Sequence, residues 1–240
     1  MEDYLVFRLY GPMAAWGDVT VGEYRPSFAH PSKSAIIGLL AAALGIRRDD
    51  DERQRMLFEA CRFAVRVDAV GSLVRDYQTT QVPPEKRGVT HHTRLSELAS
   101  GNLNTILSTR DYYYDAVYIV AVSMRSGSQF SVKQLADALL RPMFTLYLGR
   151  KSCPTALPLQ PRIVSAATLK DAFRNLPFPA GELSDLIERF GEHTDIYWES
   201  EEKSGYEAKH IVHRRDVPTS RRRWQFTDRH EHYASVKKEV

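Results

Sequence analysis

The sequence predicts an α+β fold of the ferredoxin-like (RRM-like) class, with a long hairpin insertion and a small strand-rich carboxy-terminal part. Three observations predict it. Strand-like and helix-like patterns follow as β, α, β, a long insertion, β, α, β over roughly residues 1–150, the order of a ferredoxin-like or RNA-recognition fold. A polar stretch from Val70 to Asp115 interrupts that order without a core pattern of its own. The chain of 240 residues is 43% hydrophobic, enough apolar material for a sizeable core.

Tyr4–Tyr10 (YLVFRLY) is rich in aromatic and β-branched residues and reads as the first strand, ended by Gly11-Pro12. Gly17–Pro31 mixes turn residues and aromatics without periodicity and reads as a loop. Pro31-Ser32-Lys33-Ser34 opens an apolar helix over Ala35–Ile46, with serine caps before it and Gly45 as a stop. Being apolar almost all round, that helix belongs in the core. Asp49–Glu59 suits a short surface helix, and Phe63–Val67 alternates as a strand.

The Val70–Asp115 excursion contains Pro83-Pro84, Gly88, His91-His92 and Gly101-Asn102, and its flanks suit an extended hairpin. Ala116–Val122 (AVYIVAV) is a buried strand, Ser131–Leu140 a helix capped by its serine, and Phe144–Leu148 a further short strand. Beyond Pro161 the pattern predicts a helix near Leu183–Phe190 and short strands at Ala208–His213 and Trp224–Thr227. The expected division is 1–155 for the main domain, with its insertion at about 70–115, and 156–240 for a small carboxy-terminal subdomain.

Composition excludes several classes. The longest apolar run, Ala35–Leu44, is about half the length of a membrane span, so no membrane association is expected. The start MEDYLVFRLYG is acidic where an export signal would be basic, and a cytoplasmic protein is expected. Cys61 and Cys153 form no CxxC pair, so neither a disulfide framework nor a cysteine zinc site is suggested. The formal charge of +3 conceals segregation: residues 182–202 carry −7, residues 203–240 carry +5, and the first 181 carry +5. Clusters at Arg47-Arg48, Arg150-Lys151, Arg214-Arg215 and Arg221-Arg222-Arg223 suit either a polyanion surface or solvated faces balanced by nearby acids.

The clearest chemical constellation is Tyr147-Leu148-Gly149-Arg150-Lys151-Ser152-Cys153-Pro154. A strand ends in a glycine that permits close backbone approach, followed by two cations and a hydroxyl, with a tyrosine able to stack on a base. The same residues suit an ordinary basic turn. Gly11–Gly17 places Trp16 in a tight loop, as a ligand or subunit contact or as a buried anchor. Lys33 and Ser34 sit at a helix N-terminus, where free amides favour phosphate, but no GxxxxGK[ST] is present and nucleotide hydrolysis is rejected. Arg110 followed by Tyr112-Tyr113-Tyr114 offers a cation and aromatics for clamping a strand. His91 or His92 suits general acid–base cleavage of RNA, or a solvated loop. His210 and His213 fall on opposite strand faces, and His230 and His232 lack a third ligand, so no metal and no cofactor is expected.

YLVFRLYGPMAAWG (4–17), PSKSAIIGLLAAALGIRRDD (31–50), FAVRVD (63–68), LVRDYQT (73–79), YLGRKSCP (147–154), DIYWESEE (195–202) and the RRD before Pro218 together resemble the CasD family, over nearly the whole chain. These are the crRNA 5′-handle-binding subunits of type I-E CRISPR Cascade complexes. The resemblance implies a ferredoxin-like domain whose insertion is a protruding hairpin thumb. It implies as partners the crRNA 5′ handle, the backbone and large subunits of Cascade and, indirectly, target DNA. Matching positions for RNA are Lys33, Ser34, Arg110, Tyr147 and Arg150, with Lys151 and Ser152 added by adjacency. Trp16, Tyr77, His91 and His92 are expected as secondary RNA or subunit contacts. The carboxy terminus departs from the family pattern around Arg221–Arg223. In type I-C systems a related subunit is the RNA-processing ribonuclease. The type I-E motifs, and the lack of an evident Lys-His pair beside an RNA-facing loop, favour a non-catalytic cap. The alternatives are a metal-independent repeat-processing endoribonuclease and a free-standing RNA-recognition module.

Overall fold

Along the first strand, β1 (Glu2–Tyr10), side chains alternate between two buried faces: Leu5, Phe7 and Leu9 enter one core, Tyr4 and Val6 the other. A strand covered on both sides needs apolar residues at every position, which explains why YLVFRLY and AVYIVAV read as continuous runs. The structure is a computed structural model describing residues 1–18, 20, 22–174, 183–190, 192–199, 202–220, 223 and 225–237. It is a mixed α/β fold, mostly strands with few helices.

After β1 come four two-residue strands, β2 (Met13–Ala14), β3 (Trp16–Gly17), β4 (Tyr24–Arg25) and β5 (Ser27–Phe28), in the region expected as loop. Helices α1 (Lys33–Ala43) and α2 (Asp51–Ala60) lead to β6 (Cys61–Ala69). The insertion is a hairpin of β7 (Ser72–Val82) and β8 (Asn104–Tyr114), with α3 (Arg94–Leu98) at its tip. β9 (Val117–Met124), α4 (Val132–Leu140), β10 (Arg162–Ala166), α5 (Leu169–Arg174), α6 (Ser184–Arg189), β11 (His193–Glu199), β12 (His210–Ser220) and β13 (Gln225–Lys237) complete the order.

One seven-stranded sheet runs β10-β1-β9-β6-β11-β13-β12, with every neighbouring pair antiparallel. α1 lies on one face, capped as its sequence predicts: Ser32 Oγ accepts from the Ala35 amide at 3.2 Å and Gly45 ends it at φ +73°. Ile36, Ile37 and Leu40 pack there with Leu57 of α2, Leu135 of α4, and Phe63, Val65, Tyr118 and Val120 of the sheet. On the other face Leu169 and Phe173 of α5 meet Tyr4, Ile119 and Trp198.

Two expectations need correction. Phe144–Leu148 is not a strand: the amides of Met143 and Phe144 bond to the carbonyls of Ala43 and Ala42 at the end of α1, and the edge strand is β10 instead. Strands β10 to β13, all beyond residue 155, pair into the same sheet as β1, β9 and β6. The carboxy-terminal strands are longer than expected, forming the β12–β13 hairpin. Arg221, Arg222 and Trp224, and the acidic Glu182 and Glu201, lie outside the described residues. Among the described residues no helix is long and apolar enough to cross a membrane.

Candidate nucleic-acid interface

Two of the glycine-bearing motifs interlock. The turn Tyr147–Pro154 closes on itself through Leu148 N–H to Cys153 O (2.7 Å) and Cys153 N–H to Arg150 O (2.9 Å), and it docks on the 11–17 loop through Ala15 N–H to Leu148 O (3.0 Å). Gly149 adopts φ +87°, and a Cβ there would lie 1.9 Å from Ala15 O, so only glycine permits this approach. A Cβ on Gly11 would lie 2.4 Å from Pro154 O. Buried Leu148 and Cys153 anchor the turn, leaving Tyr147, Lys151 and Ser152 exposed.

Arg150 turns inward. Its Nη1 donates to Asp111 O (3.2 Å), its Nη2 to Arg25 O (3.1 Å), and the guanidinium lies 4.8 Å from the Tyr112 ring. It therefore ties the turn to the root of the thumb and to β4, with part of its donor capacity already used.

The thumb pairs without a bulge from Ser72↔Tyr114 to Val82↔Asn104. Directly opposed residues share a face. Tyr77 opposes Thr109 while Asp76 opposes Arg110, so Tyr77 and Arg110 lie on opposite faces. The Tyr77 face carries a closed polar cluster. Arg75 donates to Asp111 Oδ1 (2.8 Å) and to the Tyr24 hydroxyl (2.8 Å), and that hydroxyl donates to Asp111 Oδ2 (2.5 Å). The Arg75 hydrogen bonds hold the Asp111 carboxyl below the usual carboxylate range against the opposing effect of burial. The Arg110 face carries Tyr112, and the parallel β4–β8 pairing sets Arg25 beside Arg110.

Lys33 does not reach this place. It is 2% exposed, its Nζ is 3.0 Å from Glu199 Oε1, and it lies over the Phe58 ring. Glu199 in turn accepts from the Phe63 amide, six residues and about 20 Å along β6 from the thumb root. Lys33 lines a separate cavity of about 680 Å³ with Arg55, Arg125, Glu199, Pro218 and Arg229. Ser34 lies beside it, with its Oγ 3.1 Å from Ser32 Oγ. The anion at the α1 N-terminus is internal: Asp216 Oδ2 accepts from the Lys33 amide at 2.8 Å.

Asp216 belongs to a buried network. Arg229 donates to Asp216 from Nε (2.7 Å) and to Glu231 Oε1 from Nη2 (2.5 Å). His30 Nε2 lies 2.9 Å from both Glu231 Oε2 and Arg214 Nη1, with its ring stacked on Tyr197 at 3.7 Å. Burial lowers the His30 pKa. Burial alone would raise Glu231, but the His30 hydrogen bond and the Arg229 and Arg214 charges outweigh it and hold the carboxyl at about 2. Arg214 and Arg229, counted in sequence as part of a basic tail, are thus consumed by the fold.

Trp16 is a buried anchor, 2% exposed and edge-on to Tyr118 at 5.6 Å, so its ring is not presented to a ligand. His91 and His92 lie near the thumb tip, where His91 Nδ1 is 3.3 Å from Ser96 Oγ. The structure thus gathers Arg110, Tyr147, Arg150, Lys151 and Ser152 around the thumb root. It leaves Lys33 and Ser34 at the other end of the sheet, Tyr77 on the opposite thumb face and the histidine pair at the tip. Arg25 was missed, since no periodicity marks it in the 17–31 loop and only the β4–β8 pairing reveals it. Among the described residues no group of three or more His, Cys, Asp or Glu is placed to hold a metal ion.

The model of the family described as CRISPR-associated protein (Cas_Cas5) matches residues 4–231. The CRISPR system Cascade subunit CasD of Escherichia coli (strain K12) is 38% identical over 168 residues, covering 66% of this chain and 70% of that protein. A chain from a solved CRISPR RNA-guided surveillance complex superposes with a TM-score of 0.65 at 27% identity, over 99% of this chain and 90% of that one. A second solved structure, of a Cas protein, matches at a TM-score of 0.60 over 98% of this chain and 95% of that one. At 24% identity, it speaks to the fold alone.

Proposed function

The chain belongs to the CRISPR-associated Cas_Cas5 family, and from that premise we propose that it is a non-catalytic subunit of a type I-E Cascade surveillance complex that binds and caps the 5′ handle of the guide crRNA. Its direct protein partners in this reading are the backbone and large subunits. Target DNA is reached through them, and the setting is the cytoplasm. We read β10-β1-β9-β6 as the sheet of a ferredoxin-like RNA-binding unit and β11 to β13 as its carboxy-terminal extension.

The observation that carries the proposal is the thumb root, where a glycine-locked turn holds Tyr147, Lys151 and Ser152 exposed and is tied through Arg150 to Asp111 and Arg25, the neighbours of Arg110. Cations with an aromatic platform on a fixed backbone are what single-stranded RNA binding uses. The non-catalytic reading is supported by the positions of His91 and His92. They lie near the thumb tip, beyond the end of the ribbon that is six residue pairs, about 20 Å, from Arg110.

The test is RNA capture followed by incubation. Protein co-expressed with backbone subunits and guide RNA is expected to retain both through purification. Tyr147→Ala is expected to weaken handle binding by about 1–3 kcal/mol, the range for one stacked base. Recovery without RNA or partners would overturn the complex. Cleavage of repeat RNA that is lost in His91→Ala or His92→Ala would overturn the non-catalytic reading.

A further inference from the structure

At the thumb root Arg75 has a carboxylate partner, Asp111. Arg25 and Arg110 do not. Both are exposed, they are matched by the parallel β4–β8 register and so share a face, and among the described residues neither forms an ion pair. Arg110 donates only to Ser108 Oγ at 3.2 Å. Like charges at directly opposed positions on neighbouring strands are destabilising, and the carboxylate that faces Arg110, Asp76, forms no ion pair with it.

The backbone that holds Arg25 in this position is nonetheless tied from several sides. Its carbonyl accepts from Arg150, the Thr109 amide bonds to Glu23 O at 3.1 Å, and Tyr24 is bound on the opposite face by Asp111 and Arg75. The fold thus sets Arg25 and Arg110 side by side on the surface read above as the RNA interface.

We propose that Arg25 and Arg110 form a two-arginine clamp on a single phosphodiester of the bound RNA, with Tyr24 and Arg150 as positioning residues that hold Arg25 in register. Each guanidinium takes one non-bridging oxygen, and the phosphate charge removes the repulsion between them. The inference rests on the RNA-binding reading and adds to it a residue and the chemical group that residue takes.

The test uses the full chain and a fluorescent RNA carrying the repeat-derived 5′ handle, with anisotropy measured over a range of salt. Arg25→Gln is expected to weaken binding about fivefold to tenfold at 0.1 M salt. It should also make the slope of log K against log salt shallower by less than about 0.7, the value for a whole phosphate contact on a single strand, since Arg110 still holds the same phosphate. Methylphosphonate substitution, one linkage at a time, should reveal one position that weakens the wild type by more than Arg25→Gln does, with a smaller loss in Arg25→Gln, which keeps only Arg110 on that phosphate. In the free protein Arg25→Gln should raise the melting temperature at low salt, with the gain vanishing at high salt. Wild-type binding with unchanged affinity and slope in Arg25→Gln would overturn the clamp alone. Failure of the wild type to bind any handle RNA would overturn the RNA-binding reading and the clamp with it.

Discussion

Removing Asp216 tests whether the anion at the start of α1 belongs to the protein or to a ligand. Asp216 is 5% exposed, caps the helix through the Lys33 amide at 2.8 Å and holds Arg229 through contacts of 2.7 and 3.0 Å. Loss of a helix cap costs about 1 kcal/mol. Breaking a buried ion pair by deleting one partner costs about 3–5 kcal/mol, because the remaining charge is stranded. Glu231 still neutralises Arg229 in the variant, so the two costs do not simply add, and Asp216→Ala should destabilise by about 3–4 kcal/mol. Asp216→Asn keeps the shape and one acceptor oxygen and should lose about half as much. Urea unfolding followed by circular dichroism gives both values from the midpoint, with the slope unchanged. RNA affinity of the folded variants should stay at the wild-type value. A loss below about 1 kcal/mol in Asp216→Ala would refute the network account, and weakened RNA binding in folded Asp216→Asn would return the helix terminus to the RNA site.

Acid should weaken the same network in two stages. His30 and Glu231 both have folded-state pKa values below their ordinary values of 6.5 and 4.5, so each contributes stability above its unfolded pKa that is lost as pH falls. His30 acts from about pH 6.5 downward and Glu231 between about 4.5 and 2, the latter amounting to about 3 kcal/mol; a melting temperature that rises on acidification would contradict both signs. Gly149→Ala should cost at least about 2 kcal/mol, since its Cβ meets the Ala15 carbonyl and its φ is positive, and should weaken RNA binding by displacing the turn; thermal melts and anisotropy together check this. Trp16→Ala should destabilise by about 3–5 kcal/mol, whereas Trp16→Phe should leave RNA affinity unchanged, which separates an anchor from a stacking platform.

Local signals were readable where one physical cause dominates. Ser32 and Gly45 bracket α1 because capping is decided within a few residues, and AVYIVAV is a central strand because both faces of the sheet are covered. Phe144–Leu148 misled because apolar alternation does not say where backbone hydrogen bonds go, and here they go to the last turn of α1. The edge strand Arg162–Ala166 carries little apolar signal, with Arg162 and Ile163 both exposed. At Lys33 the physics was legible and the partner was not: an anion does sit at the helix start, but it arrives from 183 residues away in sequence. Arg25 shows the same limit, since nothing near it in sequence marks its alignment with Arg110.

The thumb joins the body through two residues with left-handed backbone, Gly71 at φ +72° and Asp115 at φ +56°, one in each connection to the core sheet. Above them eleven consecutive residue pairs make a stiff ribbon, about 35 Å long, while below them β6 and β9 are locked into the sheet. Beyond the β4 pairing the free part of the ribbon is about 20 Å long, so a bend of about 10° there carries the tip helix through about 3 Å. A methyl group on Gly71 would press within 2.1 Å of Tyr114 O, so the close crossing of the two connections requires glycine there, while pairing of β8 with β2 and β4 braces the lower half of the ribbon. The reach of the protein is therefore set where β8 leaves β4, far from whatever the tip meets.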